Sequence, residues 1–408
     1  MITIQEALEI VRRNVPSPEI HSLPLVQAGG RILAEDLRAI EPSPRYTNSA
    51  MDGFAVRWED VQPVARKGTV VELTLVGESQ AGVPLREALQ PGQAARINTG
   101  AMVPPGADTV IPVEETEIQG QKVRILKAGT RGQHLRYVGE EFQAGDPLLP
   151  QGALLDAPRL ALLASQGIQQ VPVYAPPVVS IVVTGTELVP YDRPVQPWQI
   201  RDSNSIMLAE AVRASGGQSG AVVRVEDDLE RTVAALQQAL EKSQLVLFSG
   251  GVSVGPHDLV KQAAEACGME TLFWRVNQKP GKPLFFARKG ETLLFGLPGN
   301  PVSAYMCYIY YVHPVIRSLV GDAFGHRTVS ATVGEPLVNR VSRAQLFRVR
   351  WERDPRGNPV VFPLPRQGSH MLTSLTGADG FVVLEPGASH PAGETVEVIP
   401  FGRSCSIS

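Results

Sequence analysis

Cysteine is scarce: three residues in 408, Cys267, Cys307 and Cys405, lie far apart and form no CxxC pair. That spacing argues against a disulfide framework and against a structural zinc site. Histidine is sparse and scattered, and no HExxH occurs; nor does a GxxxxGK[ST], which disfavours a P-loop nucleotide site. Long apolar runs are missing as well. The strongest, from Val302 to Val315, is too short and too polar at its ends to cross a bilayer. There is no surplus of positive charge: 38 Lys and Arg against 41 Asp and Glu give a net charge of -3, with no basic stripe for nucleic acid. The opening MITIQEALEIVRR is a short amphipathic helix that carries acidic residues rather than a signal peptide. These absences predict a cytoplasmic protein without membrane or nucleic-acid partners.

What is present is globular. Apolar residues make up 43% and charged residues 19%, as in ordinary soluble domains, and 408 residues exceed a single core. Thr3 and Glu6 fit a capping box ahead of the apolar positions Ile4, Ala7, Leu8 and Val11. Residues 1–45 and 145–176 read as a mixed α/β linking domain, whose N-terminal helix is a candidate to pack on the α/β domain. Short β-branched runs punctuated by Gly and Pro make 46–144 a β-rich insertion. After Ala175-Pro176-Pro177, strands such as VVSIVVT, LVLFS and TLLFG alternate with helical stretches over 177–325. That pattern predicts a doubly wound parallel-sheet domain. Residues 326–408 return to β text, expected to form a barrel-like domain.

In an open parallel sheet, ligands bind beyond the carboxyl ends of the strands. Three loops fall there: TGTELV with Glu187, SGGVSVGPHD with Ser249, Gly250, Gly251, Ser253 and Asp258, and GLPGNPVSA with Pro298, Asn300, Pro301 and Ser303. Glycines allow close backbone approach and an N–H nest, and Asn300-Pro301 suits a helix start open to anions. Lys279-Pro280-Gly281-Lys282-Pro283 fixes two cations on a turn with apolar flanks. Asp227 and Asp228 add carboxylates at a strand end, where Mg²⁺ would bridge to ligand phosphates. Well-capped core helices and solvated turns would leave the same local text. Outside this domain, Asp52 in SAMDGFAV and Thr99 in INTGAMV sit in loops that turn chemistry alone could also explain.

Taken together and in order, six blocks resemble the MoeA family of molybdopterin molybdenumtransferases, which includes the E domain of gephyrin. They are Asn48–Val56, Asn98–Ala101, Val183–Glu187, Ser249–Gly255 with Asp258, Lys279–Pro283 and Gly296–Ala304. The resemblance implies insertion of molybdate into adenylylated molybdopterin with Mg²⁺-dependent release of AMP. It implies a homodimer with its active site between subunits, and an α/β domain similar to molybdopterin adenylyltransferase. Asp52, Thr99, Glu187, Asp227 and Asp258 would be catalytic, and Lys279, Lys282 and Ser303 would hold molybdate or phosphate. Arg136, Arg343 and Ser369 match further anion-binding positions. The metal set would be Glu187, Asp227, Asp258 and Glu141, although this chain reads Gly-Glu-Glu where the family usually has an Asp, which displaces the Glu141 carboxylate. Molybdopterin adenylyltransferase and molybdoenzyme maturation proteins are the expected partners. Nucleotidyl transfer and a gephyrin-like scaffold role are the alternatives.

Overall fold

The computed structural model describes residues 1–252 and 258–401, so Ser253, His257 and Cys405 lie outside the described residues. The chain divides into two compact units. One is formed by Met1–Leu23, Arg31–Ala34 and the chain from Pro172 onward; the other by Pro24–Gly30 and Glu35–Val171. Among the described residues, no helix is long and apolar enough to cross a membrane.

Helix α1, Ile4–Arg13, starts with the capping box expected from Thr3 and Glu6, both halves of which are made. Its apolar stripe of Ile4, Ala7 and Val11 is fully buried.

The second unit is built on a six-stranded sheet. Its strands are β1 (Gly53–Val56), β2 (Val71–Ser79), β3 (Gln93–Ile97), β4 (Thr109–Pro112), β5 (Thr116–Gln119) and β6 (Lys122–Ile125), in spatial order β4-β1-β3-β2-β6-β5. Successive side chains point to opposite faces. Phe54 and Val56 therefore pack beneath helix α2 (Trp58–Lys67), with its Val61 and Val64, while Ala55 joins Ala95, Ile97 and Val110 on the other side. Helix α3, Ala157–Ser165, is capped by Asp156, whose carboxylate accepts the Arg159 N–H at 3.1 Å.

The α/β domain of the first unit has strands β7 (Val178–Thr184), β8 (Gln218–Val225), β9 (Leu245–Ser249), β10 (Glu270–Trp274), β11 (Phe285–Lys289) and β12 (Thr292–Leu297). Their order is β8-β7-β9-β12-β11-β10. Strands β8, β7, β9 and β12 run parallel, whereas β11 is antiparallel to both its neighbours. The antiparallel edge follows from the short Gly290 turn between β11 and β12, which leaves no room for a crossover helix. The inner strands β7, β9 and β12 are covered on both faces, which is why they read as apolar runs, whereas the edge strand β8 is largely exposed. Ile181 and Leu247 face the helices α1, α4 (Asn204–Ala214), α7 (Pro301–Cys307) and α8 (His313–Leu319). Val182 and Phe248 face α5 (Leu229–Leu240) and α6 (Leu259–Ala266).

The sequence predicts one helix from Pro301 to Leu319. The structure instead inserts a π segment, Tyr308–Val312, between α7 and α8. Pro314 has no N–H to offer the Tyr310 carbonyl four residues back. That carbonyl accepts from His326 Nε2 at 2.9 Å instead.

The tail closes into a barrel. Strands β13 (Val329–Val333), β14 (Ala344–Arg353), β15 (Pro359–Pro363), β16 (Gly380–Leu384) and β17 (Thr395–Pro400) pair in the ring β14-β15-β13-β17-β16-β14. Phe347 and Val349 fill the barrel, while Ala344 and Leu346, on the opposite face of β14, belong to the core of the α/β domain.

Candidate functional site

At the carboxyl ends of the parallel strands lies a cleft of about 650 Å³. It is walled by the loops after β7, β9 and β12, by the start of α4 and by His370 from the tail. Glu187, Asp227 and Ser249 line it, as do Gly250 and Gly251. So do Pro298, Asn300 and Pro301. These residues come from four separate strand ends, those of β7, β8, β9 and β12, and the strand order gathers them.

The glycine pair is forced by close packing. Gly250 has φ +90° and Gly251 +65°, and a Cβ on Gly250 would strike the Thr184 carbonyl oxygen. The predicted nest, however, is not formed by Gly250, whose N–H donates to the Leu297 carbonyl at 3.2 Å. Tying two adjacent strand ends together uses the donor that a nest would need.

The two neighbouring aspartates divide their work. Asp228 caps α5 by accepting the Arg231 N–H at 2.8 Å. Asp227 turns into the cleft, where its carboxylate accepts from the Thr186 N–H at 3.2 Å and lies 3.4 Å from the Thr186 hydroxyl. Asp258 is buried, 3% exposed, and one oxygen accepts the Lys261 N–H at 3.1 Å as the N-cap of α6. Asn300 occupies the N-cap position of α7 but makes no side-chain cap bond; its amide donates to the Ser369 hydroxyl at 3.4 Å. The contact joins the tail to the helix start, and the first turn of α7 is left without the side-chain cap expected there. Ser303, in that turn, is 4% exposed.

Lys279 belongs to a short strand, Gln278–Lys279, that runs parallel to β14, with Lys279 opposite Gln345. Both lysines of the turn are half-buried, and among the described residues neither makes an ion pair. Pro283, at the end of the turn, lines the cleft. Arg343 Nη1 donates to the Gln278 carbonyl at 3.3 Å, which ties the barrel to this turn.

The remaining predicted residues are in the other unit. Asp52 accepts from both the Thr99 N–H, at 2.6 Å, and the Thr99 hydroxyl, at 2.9 Å. These bonds hold its carboxyl below the usual range, so it stays ionised at neutral pH. Arg136 pairs in register with Asn48, just upstream of the Asp52 loop. Glu141 accepts from the Ser43 hydroxyl at 2.7 Å.

Residues 2–167 match the MoeA N-terminal region (domain I and II). Residues 180–318 match the probable molybdopterin binding domain, and 330–401 the MoeA C-terminal region (domain IV). A molybdopterin molybdenumtransferase of Haemophilus influenzae is 35% identical over 411 residues, covering 99% of both chains. The chain belongs to the MoeA family. A relative of the same name from a Nostoc species is 38% identical over 340 residues, 82% of this chain and 78% of the relative. The solved structure of a MoeA protein from Pyrococcus horikosii superposes with a TM-score of 0.86 at 31% identity, covering 98% of this chain and 99% of that one.

Within this MoeA chain, three polar residues escape the motif reading. Asn204 is 6% exposed; its amide donates to the Ser249 hydroxyl and the Gly299 carbonyl, each at 2.7 Å, stitching two cleft loops together. Asp202, 6% exposed, accepts the Ser205 N–H at 3.0 Å and holds the start of α4 at the cleft wall. Arg348 is fully buried. Its Nη2 reaches the carbonyls of Arg366 and Gly368 at 3.4 and 3.3 Å, while Nε and Nη1 have no hydrogen-bond partner among the described residues. Among the described residues no carboxylate pairs with it. Burial pulls this guanidinium down to about 10. The signal in the sequence was an arginine flanked by Phe347 and Val349 in mid-strand.

The donors in the cleft suit a hard cation. Glu187 and Asp227 are carboxylates on its wall, yet among the described residues no group of three His, Cys, Asp or Glu could hold a metal alone. Few protein carboxylates completed by substrate phosphate oxygens is the habit of Mg²⁺.

Proposed function

We propose that this chain catalyses molybdenum insertion in molybdenum cofactor biosynthesis, transferring molybdate to adenylylated molybdopterin with Mg²⁺-dependent release of AMP. The observation that carries the reading is the convergence of Glu187 and Asp227 with the Pro283 end of the Lys279–Lys282 turn on one cleft of a MoeA-family chain. The two lysines, the Ser303 hydroxyl and Arg348 bind the oxyanions by charge-assisted hydrogen bonds. Two buried guanidinium donors without partners are costly, and an anion that completes them removes that cost.

Glu187 and Asp227 would hold Mg²⁺, with Asp258, the N-cap of α6, as the third carboxylate of the proposed set; bound there, the ion would offset negative charge on the phosphoanhydride. An oxygen of water or of molybdate attacks the pterin-side phosphorus, the bond from that phosphorus to the bridging oxygen breaks, and AMP departs with that oxygen and the bonding electron pair. No covalent enzyme intermediate is required. The cleft residues contribute by positioning the anions and by stabilising charge. The reading further takes the active molecule to be a homodimer, in which the Asp52–Thr99 loop and Arg136 of one subunit complete the cleft of the other. Asp52, already ionised and held by Thr99, is preorganised for such a role.

The test is to mix the purified chain with adenylylated molybdopterin and molybdate, with and without Mg²⁺, and to measure AMP. AMP release that needs both molybdate and Mg²⁺ supports the reading. Consumption of ATP with molybdopterin and release of pyrophosphate would replace it with nucleotidyl transfer. Glu141 provides a sharper internal check. Its carboxylate is engaged with Ser43, so Glu141→Gln is expected to retain turnover within about threefold, the loss of one exposed hydrogen bond. A drop of roughly a hundredfold, recovered by raising Mg²⁺, would support Glu141 as a member of the metal set.

A further inference from the structure

Gln278 is a fully buried amide in the two-residue strand that leads into the lysine turn. Its Nε2 donates to the Gly281 carbonyl at 3.0 Å and approaches the Cys307 sulfur at 3.3 Å. Its Oε1 accepts from the Tyr311 hydroxyl at 2.6 Å. A carbonyl can only accept, so the Gly281 contact fixes which end of the amide carries the N–H groups, and Tyr311 satisfies the other end.

This network encloses the turn. The bond from Gln278 to Gly281 closes over Lys279 and Pro280, and a second tie runs from the Val276 N–H to the Lys282 carbonyl at 3.1 Å. The Gln278 backbone is itself held, by pairing with Ala344 and by Arg343 Nη1 at 3.3 Å from its carbonyl. Gly281 has φ +87°, and a Cβ there would run into the Cys307 sulfur and the Gln278 amide. No side chain fits under the turn, so its height above α7 is set by the amide and the thiol. Burial pushes that thiol up to about 12, which keeps it a neutral packing group. Tyr311 belongs to the π segment, where the widened turn alters which way each side chain projects.

A leucine or methionine would fill the space of Gln278 with no polar group to satisfy, whereas a buried amide is tolerated only when its partners are in place. A fully connected buried polar network specifies one geometry more sharply than apolar packing does. We propose that Gln278 and Tyr311 are positioning residues that fix the separation and direction of Lys279 and Lys282. They thereby set the preference of the site for molybdate over a smaller tetrahedral oxyanion such as sulfate. The inference rests on the reading above, in which these lysines hold the molybdate.

The experiment compares the purified full chain with Gln278→Leu, Tyr311→Phe and Lys279→Ala. Molybdate and sulfate affinities are measured by calorimetry, KM for each substrate and kcat by AMP release, and folding by thermal melting. Gln278→Leu is expected to raise the molybdate KM about tenfold, with a narrowed molybdate-to-sulfate ratio, while the pterin KM stays within about twofold. Tyr311→Phe, which removes only a hydroxyl, should move the same ratio by about threefold. Equal losses for both substrates with an unchanged ratio would mean that the network is merely structural, and would overturn the inference. An unchanged ratio in Tyr311→Phe overturns it also if Gln278→Leu fails to fold. The two readings separate through Lys279→Ala. Loss of molybdate binding there, beside a normal Gln278→Leu, sinks only the positioning inference. Full molybdate binding in Lys279→Ala sinks the lysine reading beneath it.

Discussion

Replacing Lys279 and Lys282 together by alanine is expected to abolish molybdate-dependent AMP release and leave the fold intact. Neither lysine makes an ion pair among the described residues, so their removal strands no buried carboxylate. The change in thermal midpoint should stay within roughly 4 °C, because each half-buried lysine lacks an ion pair among the described residues. The effect on the ligand is of another order. A hydrogen bond to a charged group contributes roughly 1.5–3 kcal/mol, and two of them weaken oxyanion binding by roughly a hundredfold to ten-thousandfold. Calorimetric titration with molybdate measures this directly, and adenylylated molybdopterin titrated in parallel shows whether the loss is specific. A double variant that binds molybdate within about threefold of the parent would remove the turn from the site.

The cleft was legible in the sequence because its loops follow strands that are buried on both faces, and such strands read as plain apolar runs. LVLFS and TLLFG fixed where Gly250 and Asn300 had to emerge, and a parallel sheet brings strand ends together whatever their distance in sequence. What stayed hidden depends on pairing that no local text encodes. The barrel-like tail was expected from its β text, but the pairing of β14 with β16 that closes it is set by tertiary packing. The cap of α7 went astray because Asn300 has a partner across the domain, Ser369, that competes with the local bond. Asp227 and Asp228 are equivalent in sequence, and only the turn into α5 decides which of them caps and which faces the ligand. Local rules broken at Asn300 lie where a functional site is expected to break them.

Arg348 was missed for a related reason, and it gives the prediction with the opposite sign of stability. Alternation along β14 puts Arg348 on the face of Ala344 and Leu346, toward the α/β core, while Phe347 and Val349 point into the barrel. The strand is buried on both sides there, so it shows no polar face by which an arginine could be assigned to solvent. A fully buried guanidinium with two partnerless donors and no carboxylate destabilises the ligand-free chain. Arg348→Met keeps the length of the stem and discards the charge. Its melting temperature is therefore expected to equal or exceed that of the parent, by analogy with buried ions whose replacement is neutral or stabilising by roughly 1–4 kcal/mol. Molybdate should act in the other direction. In the parent, saturating oxyanion raises stability by binding to the folded chain only, about 2.7 kcal/mol at a hundred times Kd. That increment should vanish in Arg348→Met together with AMP release. Thermal melts of both proteins, with and without molybdate, contain all four measurements. A variant that melts lower than the parent but retains its molybdate shift would make Arg348 a tether for the Arg366 and Gly368 carbonyls, and the oxyanion would then have to be held by the lysine turn alone.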